Sequence, residues 1–206
     1  MLEIGGTVLL AVASLAVAWC SYQSALWNGQ QDFRLAESSL YYRRANERLL
    51  MVAQQQEIDA AITINFMEAV LENRRSRIDY YRKRARFDLA PIFNAWLLKD
   101  PIHNNKAPAH PLVMDEYKQL VKLSLAASDS ATNQAVLLWK EAQVDNLTSD
   151  RYTLYTVIFS LVMLLGAIAS KITLVRLAWG CMLFEATVFF VSLMLLLFST
   201  PVAVIS

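Results

Sequence analysis

The sequence predicts an all-α integral membrane protein. Three transmembrane helices carry a helical extramembrane hairpin or bundle inserted between helices one and two. Composition points there first: of 206 residues, 56% are hydrophobic and 18% charged, where a soluble domain carries about 45–50% apolar and about 25% charged residues. Charge placement agrees. All but Lys171 and Arg176 of the 19 basic residues, and all but Glu3 and Glu185 of the 18 acidic ones, lie within residues 28–151. Periodicity is the third observation: apolar residues fall in long runs or at helical spacing, with no convincing strand alternation. Together these exclude an ordinary soluble domain, a disordered chain and a collagen-like chain. Basic and acidic residues nearly cancel in the middle segment, which argues against nucleic acid as a partner, since that needs a net basic face.

Residues 4–27 form the first expected span. No charge occurs from Ile4 to Gln31, and roughly 20 apolar residues suffice to cross about 30 Å of hydrocarbon. The start, Met-Leu-Glu, lacks the basic residue of a signal peptide, and Trp19 before Cys20 spoils a lipoprotein-type cleavage site. The segment therefore reads as retained, with Trp19, Tyr22 and Trp27 at the lipid–water interface.

Residues 28–150 form the extramembrane domain. Residues 28–88 read as helix, with no Pro and no Gly after Gly29, and with Leu40, Leu49, Val52, Ile58, Ile62, Phe66 and Val70 at helical spacing. Gln54-Gln55-Gln56 is the one place where this helix would fold back into a hairpin. Pro91, Pro101, Pro108 and Pro111 mark a loop region around a short helix, Pro91–Leu98, whose Phe93, Trp96 and Leu97 should pack on the long helix. Pro111 suits the first turn of a second long helix, and the small residues from Ser124 to Ala135 allow another helix to approach closely.

The second span covers residues 151–170, with Thr148, Ser149 and Asp150 offering N-cap oxygens before it. The third covers residues 173–199 and ends before Pro201. A tight turn around Lys171 must join them. Arg34, Arg43, Arg44, Lys140 and Arg151 flank the middle domain, against Lys171 and Arg176 on the other side, so the positive-inside bias places the extramembrane domain in the cytoplasm. Glu3 agrees. The expected location is the cell (inner) membrane, multi-pass.

The segments ALWNGQ (Ala25–Gln30), RFDLAPIFNAWLLKDPIHNNKAPAHPL (Arg86–Leu112) and DRYTLYTVIFSLVMLLGAIASK (Asp150–Lys171) together resemble a family of uncharacterised bacterial three-span membrane proteins. The resemblance covers most of the chain. It implies the three-span architecture and no activity, substrate or cofactor.

Glu185 is the most informative residue. It lies near the middle of the third span, where a charge costs roughly 2.5–3.5 kcal/mol to insert. Ala178, Cys181, Glu185, Ser192 and Ser199 fall near one small, polar helix face. The functional reading is an ion or proton site; the structural one is a protonated Glu hydrogen-bonded within the bundle. In the first span Thr7, Ser14 and Ser21 interleave with Ala11, Ala18 and Ala25 at seven-residue spacing. Such a stripe permits close helix packing in lipid, either within the monomer or as a self-association or pore-lining face. The expected ion pathway or intramembrane polar site is therefore Glu185, Ser192, Cys181, Ser14 and Ser21. Arg176 lies near enough to the membrane surface to snorkel.

A basic run, Arg74, Arg75, Arg77, Arg82, Lys83, Arg84 and Arg86, includes Tyr80 and Tyr81. It reads as a solvated helix end or as a contact with anionic lipid. With Trp96 these residues make up the expected membrane-surface or partner contact. The carboxylates Glu57, Asp59, Glu68 and Glu72 lack the Glu-x-x-His pairs of di-metal bundles, and His103 and His110 are a weak metal signal, so no metal and no cofactor is expected. No phosphate-cradling loop, nucleophile elbow or Cys/His arrangement is present, which gives enzymatic activity no support. The sequence leaves two readings: a channel- or pore-like homo-oligomer with an intramembrane acidic site, or a non-conducting scaffold or accessory subunit of a membrane complex.

Overall fold

The computed structural model describes residues 2–203, and among these it is all helical. The α-helices are α1 (Leu2–Leu71), α2 (Arg75–Arg84), α3 (Ala90–Leu97), α4 (Asp115–Ala169) and α5 (Val175–Ser199), with a 3-10 turn at Pro111–Val113. Three of them, α1, α4 and α5, are long and apolar enough to cross a membrane. Their most apolar stretches have mean hydropathies of 1.6, 2.0 and 2.3. The chain forms two compact units, one drawn from Met1–Ser38 and Leu137–Ser206, the other from Ser39–Val136.

The first unit packs the apolar parts of α1, α4 and α5 around Ala13, Cys20, Tyr152, Phe159, Val162, Phe189 and Leu196. The buried residues of α5 are Glu185, Phe189, Ser192 and Leu196, a spacing that puts them on one helix face. The rings of Phe159 and Phe189 meet at 5.4 Å. Polar contacts fix the helix pairing. Ser24 Oγ lies 2.9 Å from Ser149 Oγ and 3.0 Å from Thr153 Oγ1. The Gln23 side chain donates to the Ala203 carbonyl and accepts from its N–H, and Tyr152 Oη donates to the Pro201 carbonyl. These last two contacts tie down the chain beyond α5. Interhelical hydrogen bonds of this kind supplement van der Waals packing in lipid, where apolar burial alone gives no driving force. Toward the polar end of the unit, Arg34 pairs with buried Asp145 at 2.5 Å and with Glu141 at 3.5 Å.

In the second unit, Phe66 and Val70 of α1 pack with Leu89, Ile92, Phe93, Trp96, Met114 and Tyr117. Phe66 and Phe93 stack at 4.2 Å, which is the packing of the short helix on the long one expected from its apolar residues. The small-residue stretch of α4 also behaves as expected. Ser128, Ala131 and Ala135 are buried, and Ser128 Oγ donates to the Ala45 carbonyl at 3.0 Å, a contact that needs a close antiparallel approach of α1 and α4.

One open choice is decided and three local expectations are corrected. Gln54–Gln56 lies inside α1, with no fold-back there. The helix expected over residues 28–88 ends at Leu71 instead. Asn73 adopts a left-handed φ of 51°, and the Arg74 and Asn73 N–H groups bond to the Ala69 and Val70 carbonyls. That is a Schellman ending, with Asn in the position usually held by Gly. Pro111 opens the 3-10 turn rather than the long helix, because His110 and Met114 on either side are extended; α4 begins at Asp115. Thr148, Ser149 and Asp150 cap nothing, because α4 runs through them. Thr148 bonds back to Val144 and Ser149 bonds to the Ser24 carbonyl. The side chain of Glu3, used above for sidedness, lies outside those described.

Candidate functional site

Glu185 belongs to the first unit. Its side chain is 1% exposed on α5, a helix whose other faces carry Leu, Phe, Met and Val. The carboxyl faces α1 and α4 rather than lipid because α4 has no side chain at Gly166: a Cβ there would stand 2.5 Å from Glu185 Oε1 and 2.9 Å from Leu10 Cδ2. Glu185 Oε1 is buried without a hydrogen-bond partner. A buried polar atom left unpaired costs about 1–3 kcal/mol, more when charged, so the position is expensive for stability alone.

The carboxyl borders a cavity of about 520 Å3. Gly6, Leu10, Gly166 and Met182 supply small or apolar surface, and Thr7 and Ser170 supply hydroxyls. Glu185 is the one charged side chain of its lining among the described residues. The cavity also touches Ile172 and Val175 of the α4–α5 turn. Val175 opens α5, and ten residues of helix rise about 15 Å, so the space runs from that end of the helices inward to the carboxyl.

The residues grouped with Glu185 divide. Ser192, two turns along α5, is buried on the same face, and Cys181 is half-buried one turn before it. Ser14 and Ser21 are exposed on α1, with Ser14 Oγ bonded to the Ala11 carbonyl at 2.7 Å. Ala11, Ala18 and Ala25 are exposed as well. Within one chain Ser14 and Ser21 therefore lie apart from the Glu185 cavity, whereas Thr7 of the same stripe lines it. Along residues 5–27 the inward polar residues of α1 are Gln23 and Ser24, which the seven-residue pattern did not single out.

The basic run is broken into different environments. Arg74 and Arg77 pair with Glu72, and Arg82 with Asp79 and Asn94. Arg84 lies over the Tyr80 ring. Arg75 and Lys83 are exposed. Tyr80 is exposed and Tyr81 half-buried. Trp96 does not fit the surface role expected of it. It is 4% exposed, its indole N–H donates to the Pro108 carbonyl at 2.8 Å, and its ring joins the Phe66–Phe93 stack. Apolar area and a satisfied donor both favour the core.

A second polar cluster, in the other unit, escaped the sequence reading. Asp59 is 1% exposed. It accepts from Gln55, from Arg86 at 3.3 Å and from the Tyr117 hydroxyl at 3.2 Å; Arg86 also pairs with Asp88. Burial, with the Asp59 carboxylate beside it, pushes the Tyr117 phenol up to about 12. Elsewhere, burial raises the Asp145 carboxyl above its ordinary value, and Arg34 opposes that. Among the described residues no group of three or more His, Cys, Asp or Glu side chains could hold a metal; His103 pairs with Asp100 on the surface.

Against known proteins, the chain matches no family model, no curated protein and no solved structure.

Proposed function

We propose that the chain is a multi-pass protein of the cell (inner) membrane that self-associates and passes protons or small cations by way of Glu185. The reading takes residues 28–150 as an extramembrane helical domain on the cytoplasmic side. It includes membership of the bacterial three-span family, and it assigns the chain no catalytic chemistry. One observation carries it: a carboxyl 1% exposed, unpartnered at Oε1, on a helix apolar enough to span. Intramembrane ionisable residues facing a bundle interior mark ion or proton paths as a default. The exposed α1 stripe supports self-association, since small residues outside the packed monomer leave room for a second helix backbone. Because Ser14 and Ser21 lie apart from the Glu185 cavity within one chain, the acidic site belongs to each protomer and the part of the stripe from Ala11 to Ala25 to the contact between protomers.

The test is flux of protons and alkali cations into liposomes holding the purified chain. Glu185→Gln, nearly isosteric, is expected to abolish the Glu185-dependent flux. Equal flux through the variant, or none through the parent, refutes the conducting role.

Phe87 and Leu98, each 87% exposed in the second unit, favour one alternative: a non-conducting scaffold or accessory subunit whose extramembrane domain docks a protein partner. That reading expects no flux and a stoichiometric partner retained on gentle solubilisation, lost with Phe87→Ser and Leu98→Ser.

A further inference from the structure

We propose that the cavity beside Glu185 is a binding site for a small amphipathic amine, with the ammonium on the Glu185 carboxylate and the apolar body against Leu10 and Met182. This deepens the reading of Glu185 as a functional intramembrane acid and rests on it. Three observations select the ligand class. About 520 Å3 lies within the roughly 300–1,000 Å3 of small-molecule sites, far more than a lone proton needs. The single charge on the described lining is an acid, so the complementary group is a cation rather than an anion. The rest of the lining is apolar apart from the Thr7 and Ser170 hydroxyls, which suits the hydrocarbon body of an amphipathic amine.

The Glu185 carboxyl, buried and unpartnered at Oε1, is the acceptor an ammonium N–H would satisfy once the carboxyl turns toward the cavity. The absent side chain at Gly166 leaves the carboxyl its room beside the cavity. The chemical step is a proton transfer. A neutral amine arriving through lipid takes the proton of the Glu185 carboxyl; an O–H bond breaks, an N–H bond forms, and the ammonium stays paired with the carboxylate. No net charge is added to the membrane, which avoids the cost of inserting an isolated cation.

The experiment is equilibrium binding of radiolabelled N,N-dimethyl-2-phenylethylamine to the full chain in nanodiscs, with empty nanodiscs subtracted. Its carbon isostere, isopentylbenzene, is the second probe. Saturable binding of the amine is expected, weakened about tenfold or more by Glu185→Gln, as for loss of a hydrogen bond to a charged group. Ala178 also lines the cavity, so Ala178→Leu, which narrows it and keeps the carboxyl, is expected to weaken binding too. Isopentylbenzene should not saturate the site. Equal binding of the two probes, equal binding to Glu185→Gln, or no saturable binding overturns the proposal. A variant that does not fold is recognised by its thermal melt, and Ala178→Leu then decides alone. Glu185-dependent flux without amine binding overturns the amine site and leaves conduction standing; amine binding without flux does the reverse.

Discussion

Gly166 and Glu185 act as a pair: the acid fits inside the bundle because its neighbour has no side chain. Gly166→Ala places a methyl group 2.5 Å from Oε1 and 2.9 Å from Leu10 Cδ2. The methyl must displace the carboxyl or push α1 from α4, at about 1–3 kcal/mol for overpacking. A lower thermal midpoint in detergent is the expected outcome, and an unchanged midpoint would mean that the carboxyl moves freely. Tyr117 offers a test by pH. Its folded pKa lies near 12 against about 10 for a free phenol. The unfolded chain therefore loses this proton first as pH rises. The stability linked to Tyr117 is complete below pH 10 and is lost as pH climbs toward 12. Tyr117→Phe should flatten the fall in thermal midpoint over that interval and remove one late-titrating phenolate from the ultraviolet absorbance. Neither pair was legible beforehand. Nothing local links Gly166 to Glu185 or Asp59 to Tyr117, although each acid drew attention by itself.

Helix existence was readable along most of the chain, and helix ends were not. The spans follow from apolar runs, and α3 from a Pro start and an apolar face. The end of α1 was missed because its left-handed residue is Asn73 rather than the Gly that usually marks such a turn. Asn73→Gly should be neutral or slightly stabilising, whereas Asn73→Ala should cost about 1 kcal/mol, the penalty for a Cβ in the left-handed region. Chemical unfolding midpoints of the two variants check the sign. Thr148, Ser149 and Asp150 misled in the opposite direction. They are good capping types, but the helix ran on, and their hydroxyls found Val144 and Ser24.

Self-association is the property of the assembled molecule most open to test. The α1 stripe of Ser14, Ala18 and Ser21 is exposed in the single chain, so bulk added there should not disturb the monomer core. Ala18→Leu with Ser21→Leu is expected to lower the particle mass in nanodiscs, corrected for lipid, toward the 23.3 kDa of one chain. A parent particle already of that mass would remove the oligomer from the reading.

Helical class, three spanning lengths and the concentration of charge between the first two were all present in the residue order, because hydropathy and helical period are properties of neighbours along the chain. Which face of each helix turns inward was not. The inner side of α1 carries Cys20, Gln23 and Ser24 rather than Ser14 and Ser21. Trp96 is core rather than surface. Glu185, expected inside the bundle, meets there a Gly166 and a cavity that no local pattern linked to it. Each of these depends on the packing of segments far apart in sequence, and a side chain's partners are set by the helices that enclose it.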